Sequence, residues 1–143
     1  MDSVALLEVV KVIEGVISLV EPQIVYTHFH GDLNVDHQTC FDAVMTATRP
    51  TPNLCVKEIY GFEVPSSTDW QLKPDFAFHP QMYVDVSNCF EDKLIALNAY
   101  EKEMREVPHS RSFNHVISLG KHRGYTVGVN YAEAFITYRI LRG

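Results

Sequence analysis

The spacing of apolar residues predicts that the chain begins with a helix and continues into a buried strand. Across residues 3–19 the apolar side chains recur every three or four positions, as on one face of an amphipathic helix, and Asp2 or Ser3 can cap its first turn. Pro22 ends this helix, because proline cannot continue the helical hydrogen bonds. Residues 23–27 are largely apolar and β-branched, which predicts a short strand buried on both faces.

The rest of the chain repeats this alternation of helices and short strands. Residues 31–35 predict a loop, and the helix after it is capped by Asp36 or Asp32 and runs to about Arg49. Residues 55–64 form the clearest second strand. The other predicted elements are an extended segment at 83–86, a helix capped by Ser87 that runs through Arg105, a helix from about Ser110 to Arg123, and an extended tail with one further short element over 125–141.

This alternation predicts an α/β layered domain with a largely parallel sheet. One domain is expected, because a chain of 143 residues has a typical domain length and can bury roughly two thirds of its unfolded surface. In such sheets functional groups collect beyond the carboxyl ends of the strands. The segment T-H-F-H-G-D-L-N-V-D-H at residues 27–37 follows the first predicted strand and therefore lies where this architecture places chemistry.

Composition and charge exclude several classes of function. The net charge is −6 and the lysines and arginines are scattered, so neither a nucleic acid nor an anionic membrane is an expected partner. The apolar stretch at residues 4–20 contains Glu8, Lys11 and Glu14, which excludes a membrane span and a signal sequence. The three cysteines are widely spaced and odd in number, and they predict reduced, mostly buried thiols in a cytoplasmic protein.

Residues 27–37 contain three histidines and two aspartates, which favours a metal-hydrolase loop over a merely solvated one. Imidazole and carboxylate are the ligands that zinc takes where no thiolate is offered, and neighbouring carboxylates orient the imidazoles. The run T-H-F-H-G-D resembles the T-H-x-H-x-D-H motif of the metallo-β-lactamase fold. Leu33 stands where that motif has its last histidine, so one ligand is missing from this alternative.

A second resemblance covers nearly the whole chain. Its motifs are, in order, D-L-N-V-D-H at 32–37, a helix ending in Arg49-Pro50, F-E-V-P-S-S-T-D-W at 62–70, Y-V-D-V-S at 83–87, E-D-K at 91–93, P-H-S-R-S at 108–112 and Y-A-E-A-F at 131–135. By these motifs the chain resembles the PIG-L/LmbE-like family of zinc-dependent N-deacetylases. The resemblance implies a Rossmann-like, three-layer α/β fold with a mostly parallel sheet, and hydrolysis of the acetamide of an N-acetylated sugar. It also implies one zinc ion that activates a water molecule.

The resemblance assigns roles within this loop. His37 matches the second histidine ligand of the metal, and Asp36 matches the acidic residue of the family's H-x-D-H motif. Asn34 stands at the first position of that motif, where many members have histidine. An amide can donate a hydrogen bond to a developing oxyanion but cannot carry a proton, so that task would fall to His28 or His30 of the same loop.

The family's other metal ligands and its general base belong to an H-P-D-D-like motif, which this chain lacks. The only His-Pro pair, His79-Pro80, is assigned to structure. The family has this motif ahead of the region that matches Met1, so we expect a single domain, 1–143, that is N-terminally truncated and spans the C-terminal two thirds of the family fold. The isolated chain is then expected to be inactive, to bind little zinc, and to form an oligomer, a dimer being favoured, that covers an exposed sheet edge.

Four further residues are candidates for binding substrate together with His28. Ser67 and Trp70 can contact the hydroxyls and the ring face of a sugar, or can instead be turn and core residues. Arg111 can bind a phosphate or carboxylate and Glu133 can point into the site, unless both are surface residues. A hypothesis of a different class stays open, in which the chain is a non-catalytic oligomeric module with a binding or structural role.

Overall fold

The fold confirms the α/β class. The structure, a computed structural model, describes residues 4–143. Its elements are α1 (Leu6–Val20), β1 (Ile24–His28), α2 (Val35–Ala47), β2 (Glu58–Phe62), a 3₁₀ turn (Pro74–Phe76), β3 (Met82–Asp85), α3 (Phe90–Asn98), α4 (Phe113–Val127) and β4 (Ala132–Ile140). The proposed caps of the first helix, Asp2 and Ser3, lie outside the described residues.

The four strands form one mixed sheet in the order β1-β2-β4-β3. β1 and β2 are parallel, as expected for strands joined by a helix, whereas β3 and β4 are antiparallel. A mostly parallel, Rossmann-like sheet is therefore not confirmed. The difference arises from β4, a nine-residue strand in the tail, where the sequence predicted an extended piece and one further short element.

The chain divides into two compact units, one containing the residues up to His79 together with 136–143, the other containing residues 80–135. The first unit holds α1, β1, α2, β2 and the end of β4, and the second holds β3, α3, α4 and the start of β4. The expectation of a single domain stays a prediction.

In the first unit, α1 and α2 pack on each other, and α2 packs on β1. Ile17 of α1 is buried in a cluster with Val56 and Ile59, against which Val25 of β1 also packs. α2 is capped by Asn34, whose side-chain oxygen accepts a hydrogen bond from the backbone N–H of Asp36 at 2.9 Å. The cap was expected from an aspartate, but one of the two candidates is the first-turn residue Asp36 and the other is buried before the helix begins.

In the second unit, two helix boundaries differ from the prediction. Ser87 does not cap α3, because its hydroxyl donates to Asp85 Oδ1 at 2.6 Å and accepts from the Tyr131 N–H at 3.1 Å. α3 also stops at Asn98, well before Arg105. α4 continues to Val127 and ends at Gly128, whose φ of 83° is the left-handed conformation that terminates many helices.

The structure bears on two further expectations, which concern membrane-spanning segments and the cysteines. No helix within residues 4–143 is long and apolar enough to cross a membrane. All three cysteines are free, Cys40 and Cys55 being half-buried, whereas Cys89 is exposed and so does not match the expectation of mostly buried thiols.

Candidate functional site

The loop between β1 and α2 is built around Asp32, whose side chain is completely buried. One carboxylate oxygen lies 2.8 Å from His37 Nδ1, and the other accepts a hydrogen bond from the hydroxyl of Thr68. Burying a carboxylate is costly unless it is paired and hydrogen-bonded, and these two contacts meet that requirement. Asp32 therefore holds His37 and Thr68 in fixed positions.

The Asp32 contact sets the orientation of the His37 ring. A carboxylate accepts hydrogen bonds, so Nδ1 is the donor in this contact, and Nε2 is the ring nitrogen left for another contact. The side chain of His37 is 18% exposed, so it lies near the surface. A histidine held through Nδ1 by a carboxylate has the geometry of a metal-binding or proton-accepting imidazole.

A second loop, residues 64–71, is fastened to this one by backbone and side-chain hydrogen bonds. The Leu33 N–H donates to the Ser67 carbonyl and the Gln71 side chain donates to the Gly31 carbonyl, both at 3.0 Å. Thr68 Oγ1 accepts from the Val64 N–H at 2.7 Å while it donates to the buried carboxylate, so its hydrogen is committed. These hydrogen bonds hold residues 64–71 against the loop that contains Asp32.

The predicted sugar-binding residues of this loop differ in exposure. Ser67 is buried and contributes its backbone carbonyl to the contact between the loops. Trp70 is 47% exposed, as a residue that stacks on a sugar ring must be. Ser66 adopts a φ of 67°, a conformation rarely taken by non-glycine residues and found disproportionately near functional sites. The substrate contacts of Ser67 and Trp70 stay predictions.

The ring of His28 contacts the ring of His37, whereas His30 contacts Tyr138. The rings of His28 and His37 stack with centroids 4.1 Å apart and planes 24° apart. Burial, and then the neighbouring His37, lower the pKa of His28, so the ring is neutral at pH 7. Its Nδ1 is buried and has no hydrogen-bond partner among the described residues. Of the two histidines proposed to replace the family's motif histidine, His28 is the one in contact with His37.

His30 belongs to an aromatic cluster in the same unit. Its backbone N–H donates to the Tyr138 hydroxyl at 3.1 Å, and its Nδ1 lies 2.8 Å from that hydroxyl, which donates to it. The ring is also in edge or tilted contact with Phe29, Phe41 and Phe76. Burial lowers the pKa of His30 and raises the pKa of Tyr138 to about 12, so both groups are neutral.

Asn34 and Asp36 lie at the exposed start of α2, within three residues of His37. Because the side-chain oxygen of Asn34 caps the helix, its NH₂ group is the part that can face a ligand. Arg111 and Glu133 belong to the second unit. There Arg111 Nη1 contacts Glu103 Oε2 at 2.7 Å and Glu133 Oε1 contacts Lys93 Nζ at 2.6 Å. Roles in catalysis or substrate binding stay predictions for all four candidates.

The described residues do not fit a complete zinc site. Within residues 4–143 no group of three histidine, cysteine, aspartate or glutamate side chains is arranged to hold a metal ion. Around His37, both oxygens of Asp32 are engaged, and the stacked His28 ring lies in a nearly parallel plane, so the two imidazoles cannot converge on one ion. A catalytic zinc site needs three protein ligands, of which His37 is the one that has the required orientation.

The sequence interpretation missed two residues of this site. It expected neighbouring carboxylates of this loop to orient the imidazoles, but it named Asp32 only as a possible helix cap and did not pair it with His37. Thr68 was not singled out within its polar loop, and no local signal links it to Asp32, which lies 36 positions earlier in the chain.

Comparisons with known proteins identify the fold. No protein-family model matches the chain, and no curated protein matches it. Among solved structures, the conserved protein TT1542 from Thermus thermophilus matches with a TM-score of 0.72 and 18% identity over 95% of this chain and 60% of that one. N,N'-diacetylchitobiose deacetylase from Pyrococcus horikoshii matches with a TM-score of 0.67 and 15% identity over 92% of this chain and 51% of that one.

Two further structures broaden the range of activities found on this fold. The A40926 pseudoaglycone deacetylase Dbv21 matches with a TM-score of 0.66 and 18% identity over 96% of this chain and 58% of that one. GalB, the 4-carboxy-2-hydroxymuconate hydratase from Pseudomonas putida, matches with a TM-score of 0.65 and 19% identity over 95% of this chain and 61% of that one. The chain thus spans between 51% and 61% of the length of these proteins.

These matches define the class as an α/β fold shared with a diacetylchitobiose deacetylase and a pseudoaglycone deacetylase. The resemblance to the PIG-L/LmbE-like deacetylases seen in the sequence is confirmed as a likeness of fold.

Proposed function

We propose that the protein is an N-deacetylase-type protein that recognises N-acetylated sugars at the loop after β1. The observation that carries this proposal is the contact between buried Asp32 and His37 Nδ1, which leaves Nε2 of His37 for another contact in the first turn of α2. The D-L-N-V-D-H motif and the two deacetylases among the structural neighbours support it. The proposed compartment is the cytoplasm, and the proposed ligand is an N-acetyl sugar or a conjugate of one.

In this proposal each residue of the loop has a distinct task. Asp32 fixes the His37 ring, and His37 presents a lone pair where a metal ion or a water molecule would be bound. The NH₂ group of Asn34 donates to the acetamide oxygen as negative charge develops there. His28, neutral and stacked on His37, closes one side, and Trp70 offers an exposed ring face for the sugar.

We further propose that the 143-residue chain alone binds zinc weakly and does not release acetate. His37 supplies one properly oriented ligand, while its neighbours Asp32 and His28 are engaged in other contacts. Zinc is therefore the proposed metal of the complete site, not a tightly held component of this chain. A non-catalytic oligomeric module with the same loop is the alternative from a different class. A metallo-β-lactamase-like hydrolase is the weaker alternative, since exposed Leu33 replaces a histidine.

The hydratase among the neighbours favours one second candidate. Hydration of a carbon–carbon double bond and hydrolysis of an amide share one step, the attack of water on an unsaturated carbon. A fixed imidazole such as His37 can assist either reaction by accepting a proton from that water. The two functions differ in product, because the hydrolase releases acetate and the hydratase releases nothing.

The test is to incubate the purified chain with N-acetylglucosamine and N,N'-diacetylchitobiose, with and without added zinc, and to measure acetate and bound metal. We expect no acetate and less than one zinc ion per chain, and the residual zinc binding is lost in His37→Ala. Acetate release with one zinc ion per chain would support the deacetylase assignment but contradict the inactivity of the chain alone. Hydration of an unsaturated hydroxy acid without acetate release would favour the second candidate.

A further inference from the structure

The buried side chain of Thr68 is held in one orientation by its own turn. The backbone N–H of Thr68 donates to the Val64 carbonyl at 2.9 Å, and Thr68 Oγ1 accepts from the Val64 N–H at 2.7 Å. These two bonds close the turn that contains Ser66 with its positive φ. A β-branched side chain is stiff about χ1, and a carboxylate accepts hydrogen bonds, so the hydroxyl hydrogen of Thr68 points at Asp32 Oδ1.

The backbone and the carboxylate of Asp32 are fixed by different parts of the chain. The Gln38 side chain of α2 donates to the Asp32 carbonyl at 2.6 Å, and the Asp32 N–H donates to the Phe29 carbonyl at 3.2 Å. Neither bond fixes the rotation of the carboxylate about its last side-chain bond, which is a soft torsion in aspartate. Among the described residues, Thr68 contacts one carboxylate oxygen and His37 contacts the other.

The His37 ring needs such a restraint, because its stacking on His28 leaves one choice open. Stacking, with the ring planes 24° apart, restricts the plane of the imidazole. It does not distinguish the two flips of the ring that exchange Nδ1 with a carbon atom. The contact with Asp32 Oδ2 at 2.8 Å selects the flip in which Nδ1 is the donor.

We propose that Thr68 is a positioning residue of the site, which sets the orientation of the His37 ring through the carboxylate of Asp32. The hydroxyl of Thr68 fixes Oδ1, so Oδ2 is presented to His37 Nδ1 in one direction. A buried polar network of this kind is rigid when each of its members has a partner. Thr68 therefore acts on His37 without contacting a ligand itself.

This inference deepens the proposed function and rests on it for its meaning toward a sugar. Thr68 and Trp70 lie two residues apart on one loop, so the loop that offers an exposed indole face also orients His37. An N-acetyl sugar that contacts both Trp70 and His37 would meet groups whose relative position is already restrained. Such preorganisation reduces the ordering that has to accompany binding.

The test records the Nδ1–H signal of the His37 ring by NMR of the ¹⁵N-labelled chain at one fixed pH, without any sugar. A ring N–H that donates to a buried carboxylate is protected from exchange with water, and His37→Ala identifies its signal. Thr68→Val keeps the branched shape but lacks the hydroxyl, and Thr68→Ser restores the hydroxyl. Gln71→Ala is the matched control, because it removes a hydrogen bond between the same two loops, to the Gly31 carbonyl, that does not involve the carboxylate.

The expected result is a protected His37 Nδ1–H signal in the parent and in Gln71→Ala, and its loss in Thr68→Val. Thr68→Ser should keep the signal with severalfold faster exchange, because serine lacks the methyl group that stiffens χ1. Circular dichroism verifies that each variant is folded, and if Thr68→Val is not, the exchange rate in Thr68→Ser decides.

Three results would overturn the positioning role of Thr68. They are a parent without the protected His37 signal, equal effects of Thr68→Val and Gln71→Ala, and an exchange rate in Thr68→Ser equal to that of the parent. None of these measurements uses a sugar, so the positioning role can fail while sugar recognition stands, and the reverse.

Discussion

Replacing Asp32 by asparagine should destabilise the first unit, because two donors point at this buried side chain. His37 Nδ1–H is one donor, and the Thr68 hydroxyl is the other. The Thr68 oxygen accepts the Val64 N–H, so its own hydrogen must point at residue 32. Asparagine keeps the shape of aspartate, and its oxygen can still accept from Thr68. Its NH₂ group can bond His37 only if Nδ1 becomes the acceptor, which moves the hydrogen of the ring to Nε2, and both hydrogen bonds lose their charged partner.

The size of the effect follows from the burial of the site. Asp32 is fully buried, so water cannot replace what is lost. Hydrogen bonds to charged groups contribute about 1.5–3 kcal/mol each, against about 0.5–1.5 kcal/mol for neutral ones. We therefore expect the free energy of unfolding to fall by about 1–3 kcal/mol in Asp32→Asn. Asp75→Asn is the matched control, since Asp75 is exposed in the same unit and its change should stay within about 0.5 kcal/mol.

Urea unfolding followed by tryptophan fluorescence measures this difference. Trp70 is the only tryptophan of the chain and lies in the first unit, so its emission reports on the unit that contains Asp32. Both variants should keep the slope of the parent's transition, and Asp32→Asn should shift the midpoint to lower urea. If Asp32→Asn and Asp75→Asn unfold at the same midpoint, the hydrogen-bond network described around Asp32 is wrong.

Further predictions concern packing, ionisation and a turn. Gly61→Ala should lower the free energy of unfolding by about 1–3 kcal/mol, because a Cβ there would lie 2.6 Å from the Tyr138 ring. Gly15→Ala should raise the free energy of unfolding by about 0.5–1 kcal/mol, because Gly15 has open space around it on α1. Urea unfolding measures both variants. Burial raises the pKa of Tyr138 to about 12, above its ordinary value of 10, so the folded state favours the neutral phenol. Stability should therefore fall as the pH rises from 10 to 12, less so in Tyr138→Phe. Absorbance at alkaline pH should show a late-titrating tyrosine that is lost in Tyr138→Phe. Ser87→Ala removes the hydroxyl that bonds Asp85 and the Tyr131 N–H and should cost about 1–2 kcal/mol, seen as a lower melting temperature by circular dichroism.

The sequence predicts most of the local structure in the first unit, because periodicity and breakers are local signals. α1, β1, α2 and β2 all lie where the apolar spacing and the prolines indicated them. β4 was not recognised, since its stability as a strand depends on neighbours that are distant in the chain. The antiparallel pairing of β3 and β4 is equally a long-range property, and the local pattern of either strand does not specify its direction.

The candidate site shows the same division between local and long-range information. Asn34, Asp36 and His37 are found by a motif, because they are neighbours in the chain. The contact between Asp32 and Thr68 spans 36 positions, and the stacking of His28 on His37 requires the chain to reverse between them. Buried polar contacts of this kind depend on how two loops meet, which is not encoded in the spacing of either loop.

The central claim is that the loop holding Asp32 and His37 recognises N-acetylated sugars. It is tested most directly by titrating ¹⁵N-labelled protein with N-acetylglucosamine, with glucosamine as the control that lacks the acetyl group. The account predicts saturable shifts for the N–H groups of Asp36 and His37 and for the Trp70 indole with N-acetylglucosamine, and weaker or absent shifts with glucosamine. Equal responses to both sugars, or shifts confined to residues far from this loop, would contradict it.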